Sequence, residues 1–554
     1  MDAPSKCPSR ANLALRARYR LGEPTDVAGL VMFRVLFGLL VATIALRALA
    51  LGWVERALLR PTFFFKFWGF AWVEPWPAWG MHLHLALLAL AGLFVAAGLC
   101  YRAAIWALFA GFCYLELLDV TGYLNHYYLV LLLGLVLGFM PLGRAGSVDA
   151  WRAPATRIER FPAWCTWVLR FQIGLVYFFA ALAKLSPDWL VFGQPLGIWL
   201  AARSELPLVG SLLAVSWGPL AMSWAGFLYD LTIPLWLSWR RVRPYAYGVV
   251  LAFHLTVGAL FNIGLFPFIM TGAALVFFSP SWPRVAAAWL RRAMPSVAAH
   301  AQRLIVSRRD RAMKAGKIAA NAPLGHSGIA PLGPIAASAP LGPIAASAPL
   351  GHSGIAPLGH TGIAPLGPIA ASAPLGHSGH APLGRIGFAV LVAYCAAQAL
   401  VPLRHWLYPG SVLWHEQGMR WSWRVLAREK NGAVTFVVTY ADGQRRIVTP
   451  RKYLTDRQER EMSGQPDLIL QLAHHVARDF DARGVGPVEV RADAIVSLNG
   501  RPAARLIDAS VDLAKIDDGL ERASFILPAP DTLPLGAQRA RRDEARLASR
   551  GDVP

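Results

Sequence analysis

The sequence predicts an all-α polytopic membrane bundle of about eight to nine transmembrane helices, followed by a small α+β extramembrane C-terminal domain. Three observations carry this. The 554 residues are 55% hydrophobic and only 16% charged, and charge is kept out of lipid-facing helices. Apolar runs of about 20 residues, the length that crosses a bilayer, recur through the first half of the chain. Beyond residue 404 the pattern changes to alternating apolar and polar residues divided by turn signals, as in strands. The formal charge of +21 does not single out nucleic acid, because the basic residues lie mostly in loops, where the positive-inside rule places them.

Residues 1–25 form a basic N-terminus with Lys6, Arg10, Arg16, Arg18 and Arg20. The first span, about 27–51, carries Arg34 and Arg47 and is too long for a cleavable signal peptide. The segment 61–79, PTFFFKFWGFAWVEPWPAW, is too broken to cross and reads as an interfacial aromatic belt. Further spans fit 80–100, 103–120 and 124–142, then a helix over 171–189 that contains Lys184. Residues 190–208 suit an outer loop or half-buried helix. A sixth span ends at Trp239, a seventh runs from Tyr245 to Phe261 and an eighth ends near Ser279. These spans make a transmembrane domain over 26–283, followed by a basic loop over 284–321. Residues 322–384 repeat the units APLGHSGI and APLGPIAAS. A proline and a glycine in each unit exclude continuous helix or central strand, so this stretch reads as a flexible linker. A last span over 385–403 leads to an outer α+β domain at 404–527 and a mobile tail at 528–554. The C-terminal domain contains a hairpin turning at Asp442-Gly443 and an amphipathic helix over 455–480 with Leu468, Leu472 and Val476 on one face.

Basic residues in alternate loops place the N-terminus in the cytoplasm and the C-terminal domain outside, in what the Ala- and Arg-rich usage suggests is a bacterial inner membrane. The five cysteines, Cys7, Cys100, Cys113, Cys165 and Cys395, show neither metal-ligand spacing nor a disulfide framework. No metal site is expected.

The few polar residues inside the spans are the candidate site. An ionisable side chain in hydrocarbon is a functional hypothesis by default. Lys184 lies one turn from a helix end marked by Ser186 and Pro187. Desolvation disfavours a charged amine, so an amine at that depth is a candidate base; the competing reading is a lysine that snorkels to the headgroups. Tyr177 lies at i−7 on the same helix face. Asn125 and His126 open the fourth span, and His254 lies midway along the seventh. Asn125, His126, Tyr177 and Lys184 fall in one half of the membrane, where a shared cavity is expected. Asp119 and Asp230 read instead as helix-packing groups, paired with Arg34 or Arg170.

Several of these stretches together resemble the vitamin K-dependent γ-glutamyl carboxylases and their bacterial relatives, the horizontally transferred transmembrane (HTTM) group. They are PTDVAGLVMFRVLFG at 24–38, GLCYR at 98–102, LLDVTGYLNHYYL at 117–129, VYFFAALAKLSPDW at 176–189, FHLTVGALFNIGLFPF at 253–268 and FFSPSWP at 277–283. WSWRVLA and FVVTYADG resemble the family's outer domain. The resemblance implies an integral membrane enzyme of the carbon-carbon lyase class, a vitamin K-dependent carboxylase and epoxidase. Its cofactor would be reduced vitamin K, a naphthohydroquinone, with dioxygen and carbon dioxide as co-substrates and a glutamate-containing protein or peptide as partner. It implies Lys184 as the base that deprotonates the hydroquinone and His126 as a group of the carboxylation half-reaction. Asn125, Tyr177 and His254 would bind or position the quinol. The chain departs from the animal members at Ala183, where they have a second lysine, and at Tyr123, where they have tryptophan. Two other readings compete. One is a quinol epoxidase with a different carboxylation acceptor or none. The other is a non-catalytic transporter or scaffold on the same fold, although no inverted repeat supports a transporter.

Overall fold

The computed structural model describes residues 10–206, 210, 215–261, 263–293, 381–539 and 542. The repeat at 322–384 lies outside the described residues up to 380, as do most of the basic loop and the end of the tail. By contacts the chain divides into one compact unit of 1–286 with 380–554 and a second of 287–379. Of the second, only the last turns of a helix are described.

Within the first unit the helices follow the apolar runs. They are α1 (Arg10–Gly22), α2 (Ala28–Ala50), α3 (Ala78–Ala97), α4 (Tyr101–Leu118), α5 (Asn125–Phe139), α6 (Trp164–Lys184), α7 (Gly218–Ser238), α8 (Arg243–Leu260) and α9 (Phe266–Ala274). The amphipathic Trp282–Ala293 (α10) follows, and α11 (Arg385–Leu400) resumes beyond the repeat. Among the described residues six helices are long and apolar enough to cross a membrane: α2, α3, α4, α6, α7 and α11 with its 3₁₀ extension to Leu407. Helix α5 has 15 residues, about 22 Å at the α-helical rise, against about 30 Å of hydrocarbon. Helix α9 with its extension to Phe277 is also short. Helix α8 opens on Arg243 and carries His254 within its 18 residues. Of the eight to nine spans expected from the sequence, six have full length and apolarity among the described residues.

Small residues let these helices approach closely. A Cβ built on Gly92 would lie 2.7 Å from the Gly38 carbonyl oxygen and 2.8 Å from the Ala42 nitrogen, so α2 and α3 meet backbone to backbone. Close packing of this kind is what holds helices together in lipid, where burial of apolar surface gives no drive. Gly98 ends α3 at φ +66, and its N–H and that of Leu99 satisfy the last carbonyls of the helix; only glycine adopts that conformation without cost.

Two ionic expectations are corrected. Arg34, 1% exposed, does not meet an aspartate. Its Nη1 donates to the carbonyls of Leu142 and Ala145, and its Nη2 to those of Ala96 and Gly146. Arg170 likewise donates to the carbonyls of Val276, Phe277 and Phe278. Both arginines satisfy carbonyls at helix ends and in the loops beside them, a need that a linear reading does not reveal.

The C-terminal region holds a four-stranded antiparallel sheet of order β4-β3-β5-β6, with β3 at Lys430–Thr439, β4 at Arg445–Val448, β5 at Glu489–Leu498 and β6 at Ala504–Arg505. A two-stranded pair, β1 (Pro24–Asp26) and β2 (Arg160–Pro162), lies in the membrane half. Alternate residues of β5, Val490, Ala492, Ala494, Val496 and Leu498, are buried, as the two-residue side-chain period requires. They share a core with Leu468, Leu472 and Val476. The helix expected over 455–480 is two helices, α12 (Asp456–Ser463) and α13 (Pro466–Ala482). Pro466 lacks an N–H and disfavours helical backbone at Gln465, which forces the break.

The aromatic segment 61–79 also reaches the C-terminal domain. Trp68, Trp72, Trp76 and Trp79 are exposed, but Phe65 is fully buried in the core of the C-terminal domain. The Lys66 N–H donates to Gln471 Oε1 at 3.0 Å, and Gln471 Nε2 donates to the Lys66 carbonyl at 3.0 Å. Gln458 Nε2 reaches both the Phe63 carbonyl and Asp119 Oδ2 at 2.8 Å. Asp119, expected to join helices, thus joins the bundle to the C-terminal domain.

Candidate active site

Lys184 ends α6, and its side chain turns into the bundle rather than towards a surface. It is 5% exposed, which excludes the snorkelling reading. Its Nζ donates to Asp230 Oδ2 on α7 at 2.8 Å. Longer contacts reach the carbonyls of Ala180 at 3.3 Å and Val425 at 3.4 Å. The indole of Trp189 lies 5.2 Å from the same nitrogen, close enough for a cation–π attraction. Both partners of the ion pair are almost fully buried, with side chains 6% and 8% exposed. A buried pair costs much desolvation, and its attraction repays this only when the remaining hydrogen bonds are satisfied.

One turn and more below lies a second polar knot. Tyr177 Oη, Tyr229 Oη and His254 Nε2 are mutually 3.4 Å apart. The other imidazole nitrogen, Nδ1 of His254, is buried and has no partner among the described residues. Lys184, Asp230, Tyr177 and His254 line one cavity of about 70 Å³, whose remaining walls include Val176, Met222, Phe253, Val257, Phe261 and Met270.

The roof of this cavity comes from the segment just before β3. Val425 and Leu426 line it, and Trp423, 1% exposed, packs into the bundle core. Trp421, Trp423 and Leu426 all have positive φ, at 62°, 57° and 54°. Non-glycine residues in that region cost of order 1–3 kcal/mol each and persist only where the surroundings hold them. Here they are held. The Trp421 N–H donates to Tyr123 Oη at 2.9 Å, Tyr128 lies against Trp423 at 5.0 Å, and Arg404 covers Trp421. Behind the roof, Lys430 is buried with its Nζ 3.1 Å from Glu416. Burial pushes its ammonium pKa down to about 8, an effect that the neighbouring Glu416 carboxylate partly offsets.

Of the expected site residues, the structure brings Lys184, Tyr177 and His254 to one cavity. Asn125 and His126 are not on its walls. Asn125 Oδ1 accepts from Tyr123 Oη at 2.9 Å, and its Nδ2 donates to the Arg424 carbonyl at 3.3 Å, so it fastens the roof segment. His126 is half-buried and lies against Phe266 at 5.9 Å; the same ring is 5.7 Å from His254. Phe266, itself on the cavity wall, is thus a shared neighbour of the two histidines, and His126 lies off that wall. Sequence reasoning missed Asp230 as the lysine's partner, although an acidic residue within an apolar span was the signal. It also missed Tyr229 and the roof, which no local pattern announces. Among the described residues no cluster of His, Cys, Asp or Glu is arranged to hold a metal.

A bundle of apolar helices, a buried ionic pair in a mostly apolar cavity and a roof lent by a C-terminal α+β region define a multi-pass membrane protein with an internal polar site. Two family models match the chain: the HTTM domain over 22–282, and the vitamin K-dependent gamma-carboxylase lumenal domain over 384–532. The chain belongs to the vitamin K-dependent gamma-carboxylase family. No solved structure matches it.

Proposed function

We propose that the protein couples oxygenation of a reduced naphthoquinone to carboxylation of protein-bound glutamate with carbon dioxide. The observation that carries this is the Lys184–Asp230 pair, buried on the wall of a mostly apolar cavity that Tyr177 and His254 also line. The donor set fits a reduced naphthoquinone. Apolar and aromatic walls suit its rings, and two separated polar clusters suit its two oxygens. The unpartnered Nδ1 of His254 is a hydrogen-bonding group awaiting a ligand, since buried polar atoms are otherwise satisfied. At about 70 Å³ the cavity is well below the roughly 300 Å³ or more of a ligand pocket, so binding requires its side chains or its roof to move.

The chemistry needs such a site. A glutamate γ-proton is very weakly acidic, because the carbanion forms beside a carboxylate, and no side-chain base removes it at neutral pH. The bound reduced naphthoquinone supplies, on reaction with dioxygen, the stronger base that the protein lacks, and ends as the epoxide. The protein's share is to hold and ionise the quinol, through the Lys184–Asp230 pair, and to exclude water that would quench a strong base. Tyr177, Tyr229 and His254 orient the ring. His126, beside Phe266, is assigned to the carboxylation half-reaction, and Asn125 to fixing the roof. The C-terminal domain faces the outside of a bacterial inner membrane and the N-terminus the cytoplasm.

The test is an assay of the purified protein with reduced naphthoquinone, labelled carbon dioxide and a glutamate peptide. Epoxide together with fixed label supports the proposal. Epoxide without label would assign the protein to uncoupled quinol epoxidation, and quinone binding with neither product would make it a non-catalytic member.

A further inference from the structure

Helix α10 has two chemically opposite faces, and none of its residues is buried. Trp282, Val285, Ala286, Trp289, Leu290 and Ala293 fall at i, i+3, i+4, i+7, i+8 and i+11, which is one face of a helix. Arg284 and Arg291 lie opposite, with Arg292 at the edge, and the helix holds no acidic residue. Val285, Trp289 and Leu290 are exposed. The polar face is fixed at its first turn, where Arg284 Nε donates to both carboxylate oxygens of Asp26, at 3.1 and 3.0 Å. Two residues before α10, the Pro280 carbonyl accepts from the Gly29 N–H.

The helix starts at the level where the bundle meets water. Arg170, near the start of α6, donates to the carbonyls of Val276, Phe277 and Phe278. Tyr247, near the start of α8, packs on Phe278 at 5.3 Å. The extension of α9 and the starts of α6 and α8 therefore share one end of the bundle. Exposed aromatic side chains collect at these helix ends: Trp167 in α6, Trp239 after α7 and Tyr245 in α8. Exposed tryptophan and tyrosine in such positions mark a membrane–water interface. Positive charge follows. Beyond Arg291 and Arg292, residues 294–321 add six Lys and Arg against one Asp.

We propose that α10 is a membrane-surface helix that binds anionic phospholipid. Its apolar face enters the headgroup layer, and Arg291 and Arg292 meet lipid phosphates. A helix with a Trp and Leu face opposite an Arg face settles at a bilayer surface, because apolar burial and charge attraction are then satisfied together. Basic residues beside a span gain from anionic lipid only within a Debye length of the surface, and α10 begins there. A second copy of α10 would cover the apolar face but, having no acidic residue, would leave the arginines unanswered.

The test places a photoreactive residue on each face of the full-length protein in lipid nanodiscs, as Trp289→p-azidophenylalanine and Arg291→p-azidophenylalanine. Both positions are exposed, so neither change removes a packed side chain. After irradiation, mass spectrometry identifies what each residue has captured. With about one-third phosphatidylglycerol in phosphatidylcholine, lipid adducts at 289 exceed those at 291 by about threefold or more. Phosphatidylcholine alone lowers the yield at 289 by about threefold or more, and Arg291→Glu with Arg292→Glu abolishes this dependence on lipid charge. Equal lipid capture at 289 and 291, or capture at 289 of a second copy of the chain, would overturn the proposal. Lipid capture at 289 that ignores lipid charge would overturn the recognition of anionic phospholipid.

Discussion

Arg501 grips Asp188 with both ends of its guanidinium, Nη1 to Oδ2 at 2.7 Å and Nη2 to Oδ1 at 2.6 Å. Asn499, fully buried, adds Nδ2 to the same Oδ2 at 2.8 Å. Asp188 lies four residues beyond Lys184, so the turn after β5 is fastened to the stretch that carries the lysine. Trp199 repeats the connection, its Nε1 donating to Glu429 Oε2. The C-terminal domain is thus tied to the wall of the cavity as well as forming its roof.

Replacing Arg501 by Ala leaves the Asp188 carboxylate without its main partner. The pair is largely shielded, at 17% and 11% side-chain exposure, and unpairing a buried charge costs about 3–5 kcal/mol at the upper end. With Asn499 still in place, the expected loss is about 2–3 kcal/mol. It is measured as a lowered thermal midpoint of the full-length protein in detergent. Asp188→Asn combined with Arg501→Ala should cost less than the sum of the single changes, because both remove the same contact.

Trp423→Ala tests the roof. A fully buried tryptophan truncated to alanine costs about 3–5 kcal/mol, and here it also frees a backbone held at positive φ. Faster proteolysis between residues 419 and 429 is expected, with weaker binding of reduced naphthoquinone. An unchanged cleavage rate would show that Trp423 does not hold the segment down.

Lys430 gives a pH signature. Its folded pKa, about 8, lies below the roughly 10.4 of an unfolded lysine. Between those values the unfolded chain binds more protons, so this residue's contribution to stability improves as pH rises. Below about pH 8 the cost of burying the ammonium is fully present. Lys430→Met should therefore remove an increase in stability, relative to the parent, over the window from pH 8 to 10. An identical pH dependence in the two proteins would contradict the placement.

His126→Ala probes the position of this histidine off the cavity wall. Because His126 is off the walls of the Lys184 cavity, epoxidation is expected to fall less than tenfold while carboxylation falls by about 100-fold, the scale of a lost acid–base group. Both rates are read from one reaction. Equal losses would show that His126 acts as part of that cavity.

Much of the fold was legible because hydropathy writes helix positions directly into sequence. Helices α2, α3, α4 and α7 lie within a few residues of the expected spans, and the hairpin turns at Asp442-Gly443, with Gly443 at φ +83. Lengths were less legible: α6 starts at Trp164, earlier than the apolar run alone indicates, because Arg170 reaches carbonyls and does not end the helix. Lys184 stood out as a charge in an apolar helix. Asp230 stood out in the same way, but the pairing of two charges on different helices depends on how α6 and α7 face each other. That information is in the packing of side chains and not in either helix's period. The roof was invisible for a similar reason, since WSWRVL has no local pattern that says it enters another domain's core.

The most direct measurement is the yield of epoxide and of labelled carboxylated peptide from reduced naphthoquinone, compared between the parent protein and Lys184→Ala in the same membranes. If the Lys184–Asp230 cavity is where the quinol is ionised, the parent forms both products. Lys184→Ala then forms neither above about 1% of that level, and a small exogenous amine partly restores both. Full epoxide formation by Lys184→Ala would place the chemistry elsewhere in the molecule.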